Sequence, residues 1–320
     1  MQGGTLDGHK YVQKAIDNGA VAILGEKDLT GFNIPYIQIK NTRQALTWIA
    51  GSFYNWPGHS LTVIGVTGTD GKTTTSNIIH KILITAGIKA GMISTVNAVI
   101  GDEVLDTGFH VTTPDAHDVQ KYLAQMVEAG STHVVLETTS HGWAQHRVDA
   151  CEFDIAVVTN ITHEHMDEHG SYENYRAAKA RLFESLTWTK EKPQGNPRLA
   201  VINRDDKKSF DFLNKFTQTN KINYGLHKDA DVYAKNVKYK SLGISFDIVS
   251  NNLRVAKLAF LDSLELDADK NKIKITSELV GKHNVYNNLA AFTTTVYGLG
   301  IKPEIAAQGI AALEGISGRM

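Results

Sequence analysis

The stretch Val63-Ile-Gly-Val-Thr-Gly-Thr-Asp-Gly-Lys-Thr-Thr74 decides how the rest of the chain is read. Val63 to Val66 is the apolar run of a buried strand, Thr67 to Thr74 is a glycine loop, and a helical pattern through Ile78, Ile79, Ile82 and Leu83 follows at once. Strand, glycine loop and helix in that order favour a phosphate cradle over an ordinary glycine-rich turn with a surface lysine. Gly68 and Gly71 allow a tight backbone whose N–H groups point at phosphate oxygens, and the helix start adds partial positive charge. In this register Lys72 faces the β and γ phosphates and Thr73 offers a hydroxyl to Mg²⁺. The candidate nucleotide-phosphate site therefore comprises Gly68, Thr69, Asp70, Gly71, Lys72, Thr73 and Thr74. Counted from Gly68, the loop is shorter than the usual G-x-x-x-x-G-K-[ST], which points away from the common ATPases and GTPases.

Outward from this loop, apolar strands alternate with helical stretches, the mark of an α/β domain with a mostly parallel sheet covered on both faces. The expected strands are Leu61 to Val66, Lys89 to Ser94, His133 to Leu136, Ile155 to Thr159 and Leu199 to Ile202. Between about Ala230 and Glu278 strict alternation takes over, which predicts an antiparallel segment appended to that sheet. Helices return at Asn284 to Leu299 and again after Pro303. Upstream, residues 1–57 read as a small partial α/β domain, with a helix over Tyr11 to Asn18, strands at Ala20 to Leu24 and Tyr36 to Ile39, and a helix over Thr42 to Tyr54. Trp56-Pro57-Gly58 reads as the linker to a larger domain, residues 58–320, that carries the glycine loop.

Composition narrows the function classes. Lys plus Arg (33) balance Asp plus Glu (34), so no bulk charge draws the chain to nucleic acid or an anionic membrane. The expected partner is small. One cysteine, Cys151, and a start without a signal-peptide pattern favour a cytoplasmic location; no apolar run is long enough for membrane insertion. A monomer is expected.

Five of the 13 histidines (His141, His146, His163, His165, His169) fall within 29 residues, beside Glu137, Glu164, Asp167 and Glu168. They are either metal ligands or passengers on a polar loop. Glu137 and His165 favour the first reading, because each follows an apolar strand and so reaches the C-terminal edge of a parallel sheet, where α/β proteins bind ligands.

The stretches Gly68-Thr-Asp-Gly-Lys-Thr-Thr74, Glu137-Thr-Thr-Ser-His-Gly-Trp-Ala-Gln-His-Arg147, Asn160-Ile-Thr-His-Glu-His-Met-Asp-Glu-His-Gly170 and Tyr175-Arg-Ala-Ala-Lys179 together resemble the Mur ligase family, most closely its UDP-N-acetylmuramoyl-tripeptide synthetases. The resemblance covers essentially the whole chain and implies ATP and Mg²⁺, with Thr73, Glu137, His165 and Lys179 at the metal, Lys179 as a carbamate. Taken alone, Lys179 reads as a solvated helix-face lysine. Thr112, Thr113, Ser140, Gln145 and Arg147 match positions that hold the UDP-muramoyl peptide, although Arg147 by itself reads as a surface ion pair. Asn284 and Arg319 match nucleotide-contacting positions, and Asn284 alone reads as a helix N-cap. Asp70 stands where the family usually has Asn.

The implied reaction is ATP-dependent addition of the third amino acid to UDP-N-acetylmuramoyl-L-alanyl-D-glutamate through an acyl phosphate, with the UDP-muramoyl dipeptide and a free amino acid as partners. The implied C-terminal amino-acid-binding domain is not among these residues, nor is the start of the first domain. This chain alone is therefore expected to bind ATP without forming the amide at a useful rate, and the amino acid is not legible. Two alternatives stay open: another ligase of the superfamily, of folylpolyglutamate or cyanophycin type, or a nucleotide-binding fragment without turnover.

Overall fold

A computed structural model describes residues 7–106, 113–162, 170–251 and 272–316. The strand ahead of the glycine loop, β3 (Thr62–Thr67), is buried at every residue. It lies inside an eleven-stranded sheet ordered β13-β12-β11-β10-β9-β8-β3-β7-β4-β5-β6. Seven of these strands run mutually parallel: β4 (Ala90–Ile93), β7 (His133–Glu137), β3, β8 (Ile155–Val158), β9 (Leu199–Asn203), β10 (Asn220–Gly225) and β11 (Val232–Lys240). Antiparallel strands close both edges. At one, β5 (Asn97–Ile100) and β6 (Glu103–Asp106) form a hairpin on β4. At the other, β12 (Gly243–Ser250) and β13 (Lys272–Ser277) extend β11. The second edge is the expected antiparallel segment; the first is an addition to the sequence reading, because strands of four residues carry too little alternation to register.

Side chains alternate across each strand, so the sheet has two cores. Ile64, Val66 and Val135 face a layer made by α3 (Lys72–Thr85), α8 (Lys282–Leu299) and α9 (Pro303–Ala311). Val63, Val134 and Leu136 face α4 (Ala116–Glu128), α5 (Ser140–Ala144), α6 (Tyr172–Trp188) and α7 (Lys207–Phe216). Each fully buried aliphatic side chain in these layers contributes roughly 1.5–3 kcal/mol relative to exposure. Helix α6 starts where Ser171 Oγ accepts the N–H of Asn174 at 3.1 Å. Its buried residues Tyr175, Lys179, Leu182, Phe183 and Leu186 recur at helical spacing, which puts Lys179 on the face turned into the protein. Only 2% of Lys179 is exposed, so its reading as a solvated helix-face lysine is corrected.

The N-terminal part contains α1 (Val12–Asp17), a parallel pair β1 (Ile23–Gly25) and β2 (Tyr36–Gln38), and α2 (Thr42–Phe53). Asn41 caps α2 by accepting the N–H of Gln44, and Glu26 accepts both the N–H and the hydroxyl of Thr42. Helix α2 packs on α4. At Trp56-Pro57-Gly58, Pro57 and Gly58 are buried in a 3-10 turn over Pro57–Ser60 that leads straight into β3. No helix among the described residues is long and apolar enough to cross a membrane.

Candidate active site

Strand β3 ends at Thr67, and the chain turns through Gly68 and Gly71 into α3. Both glycines have positive φ, 153° and 78°, and a Cβ would strike Thr159 Oγ1 at the first and Asn287 Oδ1 at the second. No other residue fits the turn at this closeness. Not every loop amide points outward as the sequence suggested. Thr69 N–H donates to Asn160 O at 2.7 Å and Asp70 N–H to Asn160 Oδ1 at 3.0 Å. The hydroxyl of Thr159 and the amide of Asn160 donate in turn to Asp70 O. The end of β8 therefore clamps the loop. The α3 ladder begins with Thr75 N–H to Gly71 O, so the anion-facing amides are those of the first turn, ahead of Thr75.

Lys72 opens α3 and donates to Thr69 O at 2.8 Å, folded back across the loop. Thr73 is fully buried and its hydroxyl donates to Glu137 Oε2 at 3.0 Å. Glu137, the last residue of β7, is also fully buried. Its carboxylate takes two further donors from Thr95, the N–H at 3.0 Å and the hydroxyl at 2.9 Å. Sequence reasoning missed Thr95, which sits between β4 and β5 with no motif to flag it. All three donors are neutral, which leaves a buried negative charge without a cation among the described residues.

Behind the loop, Lys179 Nζ donates to Gly68 O at 2.7 Å and lies 4.6 Å from the centre of the Tyr175 ring. The hydroxyl of Tyr175 is 3.0 Å from Thr69 Oγ1, which accepts the N–H of Thr162. Lys72, Thr73, Glu137 and Lys179, dispersed over more than 100 residues of sequence, thus gather around one loop. His165, Thr112 and Arg319 lie outside the described residues, as do His163 and His169. His141 is the second residue of α5, and His146, just past that helix, pairs with Asp149 at 2.6 Å. Among the described residues no group of three or more His, Cys, Asp or Glu forms a metal centre.

A cleft of about 1320 Å³ extends from Asp70, Gly71 and Thr74 past Asn160 to Asn284 and Asn287 of α8. Asn284 is not the helix cap, since α8 begins at Lys282; its Oδ1 accepts from Asn287 and its amide donates to Val280 O. Asp70, Asp205, Asp206, Glu278 and Glu314 line the cleft, and no lysine or arginine among the described residues joins them. Asp205 accepts from Tyr286 at 2.9 Å and from Leu226 N–H at 2.7 Å.

On the other side of Glu137, Thr113 Oγ1 lies 3.4 Å from Glu137 O and 3.1 Å from Thr139 Oγ1. Thr139 caps α5 and leaves Ser140 buried at its first turn. Arg147 donates to Thr113 O at 2.6 Å and to Gln145 Oε1 through Nε and Nη2. It also makes an ion pair with Asp115 at 3.3 Å.

The Mur ligase middle domain family matches residues 66–295. The chain belongs to the Mur ligase family. It is 36% identical over its whole length to the UDP-N-acetylmuramoyl-L-alanyl-D-glutamate--2,6-diaminopimelate ligases of Bacillus velezensis and of Halalkalibacterium halodurans. It spans 60% of the length of each of these Mur ligases. A solved ligase of the same description superposes with a TM-score of 0.79 at 28% identity, over 97% of this chain and 58% of the other. The mixed α/β architecture is thus that of the Mur ligase middle domain.

Proposed function

We propose that this chain is the nucleotide- and acyl-substrate-binding part of a Mur ligase that adds an amino acid to UDP-N-acetylmuramoyl-L-alanyl-D-glutamate in the cytoplasm, at the expense of ATP. We divide it into a partial UDP-binding unit, residues 1–57, and an ATP-binding unit, residues 58–320. The observation that carries the reading is the meeting of Lys72, Thr73, Glu137 and Lys179 at one glycine loop between the cleft and the Gln145–Arg147 turn. The acidic cleft suits the neutral nucleoside, whose hydroxyl and amino groups donate to carboxylates, and repels polyphosphate, which the α3 start and Lys72 would attract instead. Asn284 and Arg319 would hold the nucleotide. Thr112, Thr113, Ser140, Gln145 and Arg147 would hold the muramoyl peptide.

The buried Glu137 carboxylate and the Thr73 hydroxyl are hard oxygen donors 3.0 Å apart, and no cation among the described residues pairs with the carboxylate, so the two fit Mg²⁺. A Mg²⁺ there, with His165 and Lys179 as further ligands, would neutralise charge developing on the transferred phosphoryl group. The substrate carboxylate would attack the γ-phosphorus with ADP leaving, and the incoming amine would then attack the acyl carbon with phosphate leaving. Lys72 and the first-turn amides would stabilise the first step electrostatically. The test supplies ATP, Mg²⁺, the UDP-muramoyl dipeptide and single amino acids, with 2,6-diaminopimelate first because the relatives' names carry it. ATP and dipeptide binding by this chain, and tripeptide formation by the complete protein, are expected; absence of dipeptide binding would overturn the acyl-substrate reading.

Lys179 is expected to carry a carbamate when bicarbonate is present. Its neutral amine would add CO₂ and release a proton, turning a buried cation beside the loop into an oxygen ligand. With ¹³C-bicarbonate, Mg²⁺ and ATP, a carbamate carbon resonance should appear in the unaltered chain and vanish in Lys179→Ala. A spectrum without that resonance in the unaltered chain would count against the assignment.

A further inference from the structure

We propose that Arg43 of α2 is the second guanidinium of an oxyanion clamp for the acyl substrate, paired with Arg147; this rests on the reading of Gln145 and Arg147 as acyl-substrate residues. Arg43 Nη1 donates to Gln145 Oε1 at 2.8 Å. The same oxygen accepts from Arg147 Nη2 at 2.7 Å and from Nε at 3.1 Å. Two cations therefore meet at one neutral atom.

Guanidinium groups this close repel one another, and the repulsion is stronger where water is partly excluded. Both arginines are half-buried. Among the described residues, the only carboxylate within ion-pair distance of either is Asp115, which is 73% exposed and so well screened. Each guanidinium has five N–H donors in a planar fork; among the described residues Arg147 gives three of its own to Thr113 O and Gln145 Oε1 and Arg43 gives one to Gln145 Oε1, so both have N–H groups left for an anion. A carboxylate or phosphate entering between the forks would relieve the repulsion and take up those donors.

The location ties the clamp to the reaction. Arg147 is bonded to Thr113 O at 2.6 Å, and the hydroxyl of Thr113 reaches the carbonyl of Glu137, so one residue separates clamp and phosphate-loop cluster. A substrate that ends in glutamate carries two carboxylates. Only one becomes the amide; the other stays an anion, and holding it would aim the first at the γ-phosphate. The diphosphate of the UDP group is the other oxyanion on the same molecule. Because Arg43 comes from α2, the N-terminal unit would contribute directly to substrate recognition.

The experiment measures dissociation constants by calorimetry for the unaltered chain, Arg43→Met and Arg43→Lys. The probes are the UDP-muramoyl dipeptide, its analogue with the unreacted glutamate carboxylate converted to an amide, UDP, and ATP with Mg²⁺. A loss of about 10-fold or more on the dipeptide in both variants is expected, with ATP affinity and the thermal midpoint unchanged. If the loss disappears for the amide analogue, the clamped group is the carboxylate. If it persists there and appears equally for UDP, the group is the diphosphate. Dipeptide affinity unchanged in Arg43→Met overturns the proposal and leaves the acyl-substrate reading standing. A loss that accompanies weaker ATP binding and a lower midpoint overturns it in favour of a structural latch. Failure of the unaltered chain to bind either muramoyl ligand overturns both the proposal and the reading beneath it.

Discussion

Asp154→Ala is expected to destabilise the protein by about 3–5 kcal/mol, the largest effect of any single substitution considered for this chain. Asp154 and Lys192 form an ion pair at 2.5 Å in which both side chains are fully buried. Burial pushes the Asp154 carboxyl up and the Lys192 ammonium down from their ordinary ranges, and each is pulled back by the charge of the other. The pair survives because it is saturated: Asp154 also accepts from Val63 N–H at 2.7 Å and Asn196 at 2.9 Å, while Lys192 donates to Leu61 O and Glu152 O. Together they fasten the start of β3 to the entry of β8. Removing the carboxylate leaves an ammonium without a countercharge in the core. Urea unfolding of Asp154→Ala, Lys192→Met and the double variant Asp154→Leu/Lys192→Met checks this. The double variant should recover much of the loss, since apolar replacement of a whole buried pair is often close to neutral. A cost below about 1 kcal/mol in both single variants would show that water reaches the pair.

Lys72→Ala is expected to weaken ATP binding by a factor of about 10 to 100, in line with removing one charge-assisted contact to phosphate. The variant leaves the loop intact, because its shape comes from Gly68, Gly71 and the clamp by Thr159 and Asn160 rather than from the lysine. The hydrogen bond from Lys72 to Thr69 O at 2.8 Å exchanges readily for a phosphate oxygen by rotation about the side chain. Calorimetry with Mg²⁺ present is the measurement, with the thermal midpoint as control. Unchanged affinity would remove Lys72 from the nucleotide site.

The second prediction draws on the part of the molecule most legible in the sequence. Strand, glycine loop and helix are local in the chain, so periodicity and the residue types at 63–85 specified β3, the turn and α3 without help from elsewhere. Five of the seven parallel strands, β3, β4, β7, β8 and β9, were legible for the same reason, each being a short apolar run between helical stretches; β11 was legible as a strand, but its parallel pairing with β10 was not. The β5–β6 hairpin, α7 and β10 were not legible. Their residues are half exposed or short in span, and what holds them is pairing with neighbours far along the chain.

Lys179 shows how a local pattern can be present and still be read wrongly. The spacing Tyr175, Lys179, Leu182, Phe183, Leu186 lies in the sequence, yet a lysine is ordinarily placed on the outer face because burying its charge is costly. Gly68 O, 111 residues earlier, supplies the acceptor that permits burial. Thr95 and Arg43 had no local signal at all. Thr95 matters only because β4 and β7 are neighbours in the sheet, which brings its N–H and hydroxyl to Glu137. Arg43 matters only because α2 packs on α4, across from the turn that carries Gln145.

By itself, then, the sequence determined the α/β class, the glycine loop with Lys72 and Thr73, the strand end at Glu137 and, through motif resemblance, the family. These depend on contacts between residues a few positions apart, where backbone geometry leaves few choices. The tertiary structure alone decided which loop amides remain for an anion, that Lys179 is buried, that Thr95 holds Glu137, and that Arg43 meets Arg147. Each of those depends on sheet order and helix packing, which join residues 40 to more than 100 positions apart through the burial of surfaces rather than through any pattern in either segment.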